Sequence, residues 1–341
     1  MKKVISLLLV AAVLLAFASC AGKTNEVTEP TTVPTTVPTT APYEKVDINV
    51  FTISGPTGIG MVNMMALSEE DALENYNFTV VTSPTEVVSK ISTGEADIAA
   101  VPTNLAATLY NKTEGGIKIL AVNTLSVLSM LNYKGGAINS PDDVKGRTIY
   151  TTGKGSNPEY IIKYLLRKFG IDPEKDVTIE YKEEGSELVP VWNTDETALI
   201  IAPQPVATSI MLNYEGSDII IDLGYEWESV SPDSKLMMGC VIVREEFLKA
   251  NPDAVAHFLE DYKRSVEKAT GDIETTAQLC EEKGIVPKAA LAKAAIPNCN
   301  LCFITGEEMK TNLTGYLQVL FDADPKSVGG QMPDDGFWYV K

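Results

Sequence analysis

Histidine is almost absent from this sequence: His257 is the only one in 341 residues. A zinc site of imidazole and thiolate therefore has little to draw on, and acid–base chemistry near neutral pH lacks its commonest side chain. Arginine is nearly as scarce, at Arg147, Arg167, Arg244 and Arg264, and the formal net charge is −18. That balance counts against nucleic acid as a partner, because phosphate binding rests on Lys and Arg. Past the N-terminus no run of eighteen or more apolar residues occurs, so nothing there reads as a bilayer span.

The N-terminus is different. Lys2 and Lys3 precede an apolar stretch from Ile5 to Ala18, and small residues lead up to Cys20. This reads as an export signal over residues 1–19, cleaved before a cysteine as in the bacterial lipobox, with Cys20 as the lipidation site. Pro-Thr-Thr repeats follow from Pro30 to Pro42. They have no apolar face to bury and favour extended conformations, so residues 20–44 read as a lipidated cysteine and a stalk. The expected location is extracytoplasmic, anchored by lipid to a bacterial cell membrane.

Four cysteines remain: Cys240, Cys280, Cys299 and Cys302. The Cys299-x-x-Cys302 spacing suits zinc or redox chemistry, but the further ligands a zinc site needs are not evident, and no metal is expected. One structural disulfide, Cys280 with Cys299, is expected from the extracytoplasmic address.

About 300 residues follow the stalk, enough for two lobes. Short apolar strands alternate with helical stretches from Val46 to Val122, and the same grammar restarts from Arg147 to Leu223, which predicts parallel βαβ units in two doubly wound sheets. A Met-rich helix is expected over Gly58 to Leu73. The segments Asn123 to Tyr133 and Lys235 to Val243 read as strands crossing between the blocks as hinges. The last hundred residues are helical in pattern, and most of that tail is expected to return to the first lobe. The expected domains are thus lobe 1, residues 45–123 plus 235–341, and lobe 2, residues 124–234.

In open α/β sheets, ligands bind beyond the carboxyl ends of the strands, where helix N-termini present unpaired N–H groups. The loops at those places share one vocabulary. Ser54, Gly55, Pro56 and Thr57 follow the first strand, Ser83 and Pro84 the second, and Thr103 and Asn104 the third. In the second block come Thr152, Gly153, Ser156 and Asn157, then Gln204, with Asn157 read as the cap of a helix starting at Pro158. Each alone is an ordinary helix cap, and the argument rests on their equivalent topological places. None contains an acid pair or a nucleophile with a base, so no catalytic residue is expected. Gly153-Lys154-Gly155 lacks the spacing of a phosphate-binding Walker loop, and no cofactor is expected. Trp192 reads equally as a ring stacked on a planar ligand or as a core residue.

Two stretches carry a family resemblance. Thr93-Gly94-Glu95-Ala96-Asp97-Ile98-Ala99 matches a G-x-A-D-I-A turn and strand, and Ser140-Pro141-Asp142-Asp143-Val144-Lys145-Gly146-Arg147-Thr148-Ile149 matches S-x-x-D-L-K-G-K-x-I. With the lipobox, they make residues 45–341 resemble the NMT1/THI5-like solute-binding proteins of ABC transporters, which include nitrate, sulfonate, taurine and pyrimidine-precursor binders. The resemblance implies a type II periplasmic-binding-protein fold, α/β, with two lobes joined by a two-strand hinge and a helical C-terminal tail. It implies a monomer that closes on a small-molecule solute and partners an ABC permease and ATPase. Lys154 is the only cation in the loops, which counts against a multiply charged anion and favours a neutral or weakly charged planar solute, or a small anion held by helix ends. The competing reading is an enzyme of the same fold acting on a pyrimidine or menaquinone-precursor metabolite.

Overall fold

The computed structural model describes residues 43–136 and 138–340; the signal segment, Cys20 and the Thr/Pro repeats lie outside the described residues. The first block runs β1 (Asp47–Ile53), α1 (Pro56–Met61), β2 (Asn75–Val81), α2 (Pro84–Thr93), β3 (Ile98–Pro102), α3 (Thr103–Lys112) and β4 (Ile117–Thr124). The second runs β5 (Leu128–Tyr133), β6 (Thr148–Thr151), α4 (Asn157–Lys168), β7 (Thr178–Tyr181), β8 (Leu199–Pro203), α5 (Val206–Asn213), β9 (Ser217–Asp222) and α6 (Leu223–Val230). The remainder comprises β10 (Gly239–Arg244), α7 (Glu245–Ala250), α8 (Pro252–Gly271), α9 (Ile273–Glu282), α10 (Ala289–Ala295), β11 (Leu301–Ile304) and α11 (Gly306–Ala323).

Two sheets result, ordered β11-β4-β10-β3-β1-β2 and β7-β6-β8-β5-β9. Each holds parallel pairs (β1 with β2 and β3; β6 with β7 and β8) and one antiparallel strand threaded between two others. The threaded strand arrives from the opposite sheet. β5 leaves β4 through Leu125, Ser126 and Val127 and enters between β8 and β9, while β10 returns from the second block to lie between β3 and β4. The expected crossing segment Asn123 to Tyr133 is therefore divided: its first two residues close β4 and its last six form β5.

The first sheet is buried on both faces, which explains its nearly continuous apolar strands. Ile48, Val50, Ile98, Val241 and Val243 meet Phe258 and Tyr262 of α8 on one side. Phe258 has no exposed surface, and burying a side chain of its size stabilises by roughly 1.5–3 kcal/mol. The helical tail meets both blocks. α8 covers the first sheet, β11 adds a strand beside β4, and α11 touches both β4 and α4. Trp227 of α6 joins the blocks there, with ring centroids 4.8 Å from Tyr164 and 5.3 Å from Tyr316.

The expected long helix over Gly58 to Leu73 is six residues of α1 followed by a single 3₁₀ turn at Met64–Ala66. Gly58 and Gly60 weaken helix propagation here and serve close packing instead. A Cβ at Gly58 would stand 2.8 Å from both Ile285 Cδ1 and the Ile53 carbonyl oxygen.

The two family-like stretches have structural jobs. Asp97 accepts from Asn49 N at 2.9 Å and pairs with Arg244 at 2.7 Å, tying β1, β3 and β10 together. Asp143 Oδ2 accepts from the backbone N–H groups of Asn139 and Ser140 at 2.8 and 2.9 Å, which holds the 3₁₀ turn Pro141–Val144 leading into β6.

Candidate functional site

The strand-end loops of the two sheets meet. Asn157 is almost fully buried, and its Nδ2 donates to the Met238 carbonyl at 2.7 Å and to Thr103 Oγ1 at 3.3 Å. Thr103 Oγ1 in turn donates to the Met237 carbonyl at 2.5 Å. One bond therefore links the first turn of α4, carried by the second sheet, to the first residue of α3, carried by the first. Asn157 can do this because it is not the cap it was expected to be: Ser156 occupies that position, Pro158 follows within the first turn, and the Asn157 side chain is left to reach across. Its Oδ1 has no hydrogen-bond partner among the described residues, which leaves a buried acceptor beside the contact between the sheets.

A second approach lies beside it. The loop after β1 faces the loop after β8, where a Cβ at Gly55 would lie 3.9 Å from Pro205 Cδ. Gly55 N donates to the Ile285 carbonyl at 3.2 Å, so the corner between α9 and α10 holds this loop from behind. α10 continues onto the second block, where Pro287 and Leu291 share a groove of about 390 Å³ with Val206 and Ile210 of α5.

The other expected residues are placed as follows. Thr57 Oγ1 is spent on the Ile53 carbonyl at 3.1 Å, and Gln204 Oε1 accepts from the Thr208 hydroxyl at 2.6 Å. Asn104 is buried, with Nδ2 turned to the Ser327 carbonyl at 3.2 Å and Oδ1 without a hydrogen-bond partner among the described residues. Ser54, Pro56, Ser83, Pro84, Thr152, Gly153 and Ser156 are half-buried, at the ends of their strands or the starts of their helices. The structure thus joins Thr103 directly to Asn157 and brings Gly55 to Pro205, next to Gln204. No hydrogen bond links Ser83 to the second block among the described residues.

Sequence reasoning missed the floor of this junction. Asn123, the penultimate residue of β4, is buried with an Nδ2 that has no hydrogen-bond partner among the described residues. Ser126, in the crossing segment, is buried with a hydroxyl that has no hydrogen-bond partner among the described residues, as is Thr52 near the end of β1. Asn123 and Ser126 lie in a segment read for its apolar hinge character, although the strand-end rule that selected Thr103 also applies to β4.

Trp192 is core: it is buried, donates Nε1–H to the Ala198 carbonyl at 2.9 Å and stacks on Tyr133 at 5.3 Å. Lys154 is exposed over the Tyr181 ring at 5.7 Å. His257 pairs with buried Glu74 at 2.6 Å on the far side of the first sheet, in α8. Cys280 and Cys299, expected to be bridged, are free thiols in the structure. Both pack in one apolar cluster, Cys299 Sγ turns to the Ala295 carbonyl at 3.2 Å, and burial pushes each thiol up to about 12. Among the described residues no group of three or more His, Cys, Asp or Glu is placed to hold a metal ion. Among them also, no helix is long and apolar enough to cross a membrane.

The family described as NMT1/THI5 like matches residues 80–274, more than half of the chain. The chain belongs to that family. Its fold is the type II periplasmic-binding-protein fold, with two sheets and a helical C-terminal region, and solved structures repeat it. An ABC transporter protein from Parabacteroides distasonis superimposes with a TM-score of 0.71 at 22% identity, covering 86% of this chain and 99% of that one. The periplasmic aliphatic sulphonate binding protein SsuA of Escherichia coli gives 0.69 at 12% identity, covering 86% and 92%. The alkanesulfonate-binding protein of Xanthomonas axonopodis pv. citri, bound to MOPS, gives 0.64 at 12%, covering 86% and 96%. No curated protein sequence matches the NMT1/THI5-like chain significantly.

Proposed function

We propose that this chain is the extracytoplasmic solute-binding component of an ABC importer, held at the cell membrane by a lipid on Cys20. It captures a small organic solute between its two sheets and passes it to the permease and ATPase. The observation that carries this reading is the Asn157–Thr103 contact, which puts strand-end groups from both sheets on one junction. The names of the structural neighbours agree with a binding role. Residues 45–123 plus 235–341 act as one lobe and 124–234 as the other, moving about the crossing segments. Solute favours the closed arrangement by its differential affinity for the two states, and the transporter reads that arrangement. The solute meets Ser54 to Thr57, Ser83, Pro84, Thr103 and Asn104 from one lobe, and Thr152, Gly153, Ser156, Asn157 and Gln204 from the other. The protein carries its solute unchanged, a reading in keeping with junction loops in which no nucleophile stands with a base among the described residues.

A thermal-shift and native mass spectrometry screen against sulfonates, nitrate, pyrimidines and flavin-like compounds tests this. One compound is expected to stabilise the protein, by about 2.7 kcal/mol when present at a hundredfold excess over its Kd. Replacing Thr103, Asn104 and Ser156 together by Ala is expected to abolish that shift. Conversion of the bound compound to product would overturn the carrier reading, and binding that survives the triple replacement would move the site elsewhere.

A further inference from the structure

A pocket of about 340 Å³ lies on the flank of the second sheet, and none of the residues assigned to the solute lines it. Its floor is Met130, Ile201 and Ile221, one from each of β5, β8 and β9. Ile162 and Leu166 of α4, with Phe169 just after it, line one side, and Leu223 of α6 lines another. Pro141 and Val144 close it, so the family-like stretch after residue 140, which no solute contact employs, builds part of this pocket. A volume near 300 Å³ is at the lower end of small-molecule sites, and an apolar wall with a few polar groups is their usual composition.

Polarity at the rim has one sign. Glu226 is the single ionisable residue of the lining, half-buried, and no Lys or Arg accompanies it. Its carboxylate makes no ion pair or side-chain hydrogen bond among the described residues. Asn139 and Ser140 supply the remaining polar groups. A neighbouring cation would be favoured both by this carboxylate and by the field of a chain whose net charge is −18.

We propose that this pocket is a second binding site, separate from the solute junction, for a compact apolar amine. The hydrocarbon or aromatic body fills the space between the sheet and α4, and the ammonium group meets the Glu226 carboxylate at the rim. Each liquid water occupies about 30 Å³, so the space suits a ligand of roughly ten to twelve non-hydrogen atoms. The inference does not depend on which solute the main junction holds.

Isothermal titration calorimetry with three probes of one body tests it: 4-phenylbutylamine, 4-phenylbutan-1-ol and 4-phenylbutanoate. The amine is expected to bind saturably at one site, at least tenfold more tightly than the alcohol, with the butanoate weakest. Glu226→Gln is expected to bring the amine to the affinity of the alcohol, and Leu166→Trp, which fills the pocket, to remove both. Asn157→Ala is expected to leave amine binding unchanged. Equal binding of amine and butanoate, no binding of any probe, or an amine affinity indifferent to Glu226→Gln overturns the proposal. So does amine binding lost in Asn157→Ala, which would assign it to the solute junction. Glu226→Gln keeps the test open should Leu166→Trp fail to fold, because the Glu226 carboxylate makes no contact the fold depends on. Self-association of the protein at the probe concentrations without amine binding would assign the face to a second copy and likewise overturn it.

Discussion

Arg244 Nη2 donates to Asp97 Oδ1 at 2.7 Å, and this single pair fastens the strand that returns from the second block to the parallel strands of the first. Arg244 Nε also donates to the Ala96 carbonyl at 3.0 Å, while Asp97 Oδ2 takes two donors from Asn49. Removing one partner of a largely buried pair leaves the other charge uncompensated, and such changes cost about 3–5 kcal/mol. Arg244 keeps some solvent access, with 20% of its side chain exposed, so the lower end applies. Asp97→Ala is expected to lower stability by about 3 kcal/mol in urea denaturation. A loss under 1 kcal/mol contradicts the role given to the pair.

Gly239 opens β10 where the chain re-enters the first sheet. A Cβ there would stand 2.5 Å from Asn123 Oδ1 and 3.0 Å from Thr124 Cβ, both in the neighbouring strand β4. Asn123 is buried and its Oδ1 accepts from Thr124 Oγ1 at 3.0 Å, so Gly239→Ala has to displace that side chain or the strand end. Overpacking of this kind costs about 1–3 kcal/mol. The unfolding free energy is expected to fall by that amount, through a lower denaturation midpoint at an unchanged m-value, and solute affinity to fall with it, because Asn123 lies on the floor of the junction.

Much of this organisation was legible because periodicity and punctuation are local. The strand-turn-helix alternation, the glycine and proline loops and the position of the crossing segments follow from hydrophobic pattern and turn chemistry. What escaped depends on partners far away in sequence. Asn157 looks like a cap in isolation, and only Thr103 and Met238, brought up by the other sheet, give its side chain other work. β11 is four residues beside a run of helices, too short to announce itself, and is a strand because β4 offers it an edge. The Met-rich segment from Gly58 has helical composition, but its glycines answer to Ile285 and Tyr262, which arrive from residues more than two hundred positions on.

Alkaline pH is expected to expose the buried thiols. Cys280 and Cys299 are each held near 12 by burial, whereas an unfolded thiol titrates near 8.5. Between those values the native state keeps protons that the unfolded state releases, so stability falls as pH rises. The slope is about 1.4 kcal/mol per pH unit for each thiol, and the contribution is intact below about pH 8.5. Urea denaturation in reductant at pH 8 and pH 10 is expected to show a steeper loss for the wild type than for Cys280→Ala/Cys299→Ala. Equal slopes would mean that the two thiols are accessible or bridged.

Asn157→Asp isolates the contact between the sheets. Asn157 uses both amide hydrogens, one on Met238 O and one on Thr103 Oγ1, in a site with 1% exposure. A carboxylate there would turn an acceptor toward the Met238 carbonyl and bury a charge with no cation opposite. Such a group titrates above its unfolded value near 3.9, because burial penalises the charged form. Its protonated form is tolerated best below that value, where the acid O–H can donate to Met238, and stability is lost as pH rises through the raised folded pKa. Relative to wild type, the variant is therefore expected to be least impaired near pH 4 and to lose roughly 3 kcal/mol or more by pH 7. Solute binding is expected to follow the same profile, weakening as the carboxyl ionises. A deficit that stays constant from pH 4 to pH 7 would mean that water reaches this position, and that the two sheets do not meet at Asn157 and Thr103 in solution.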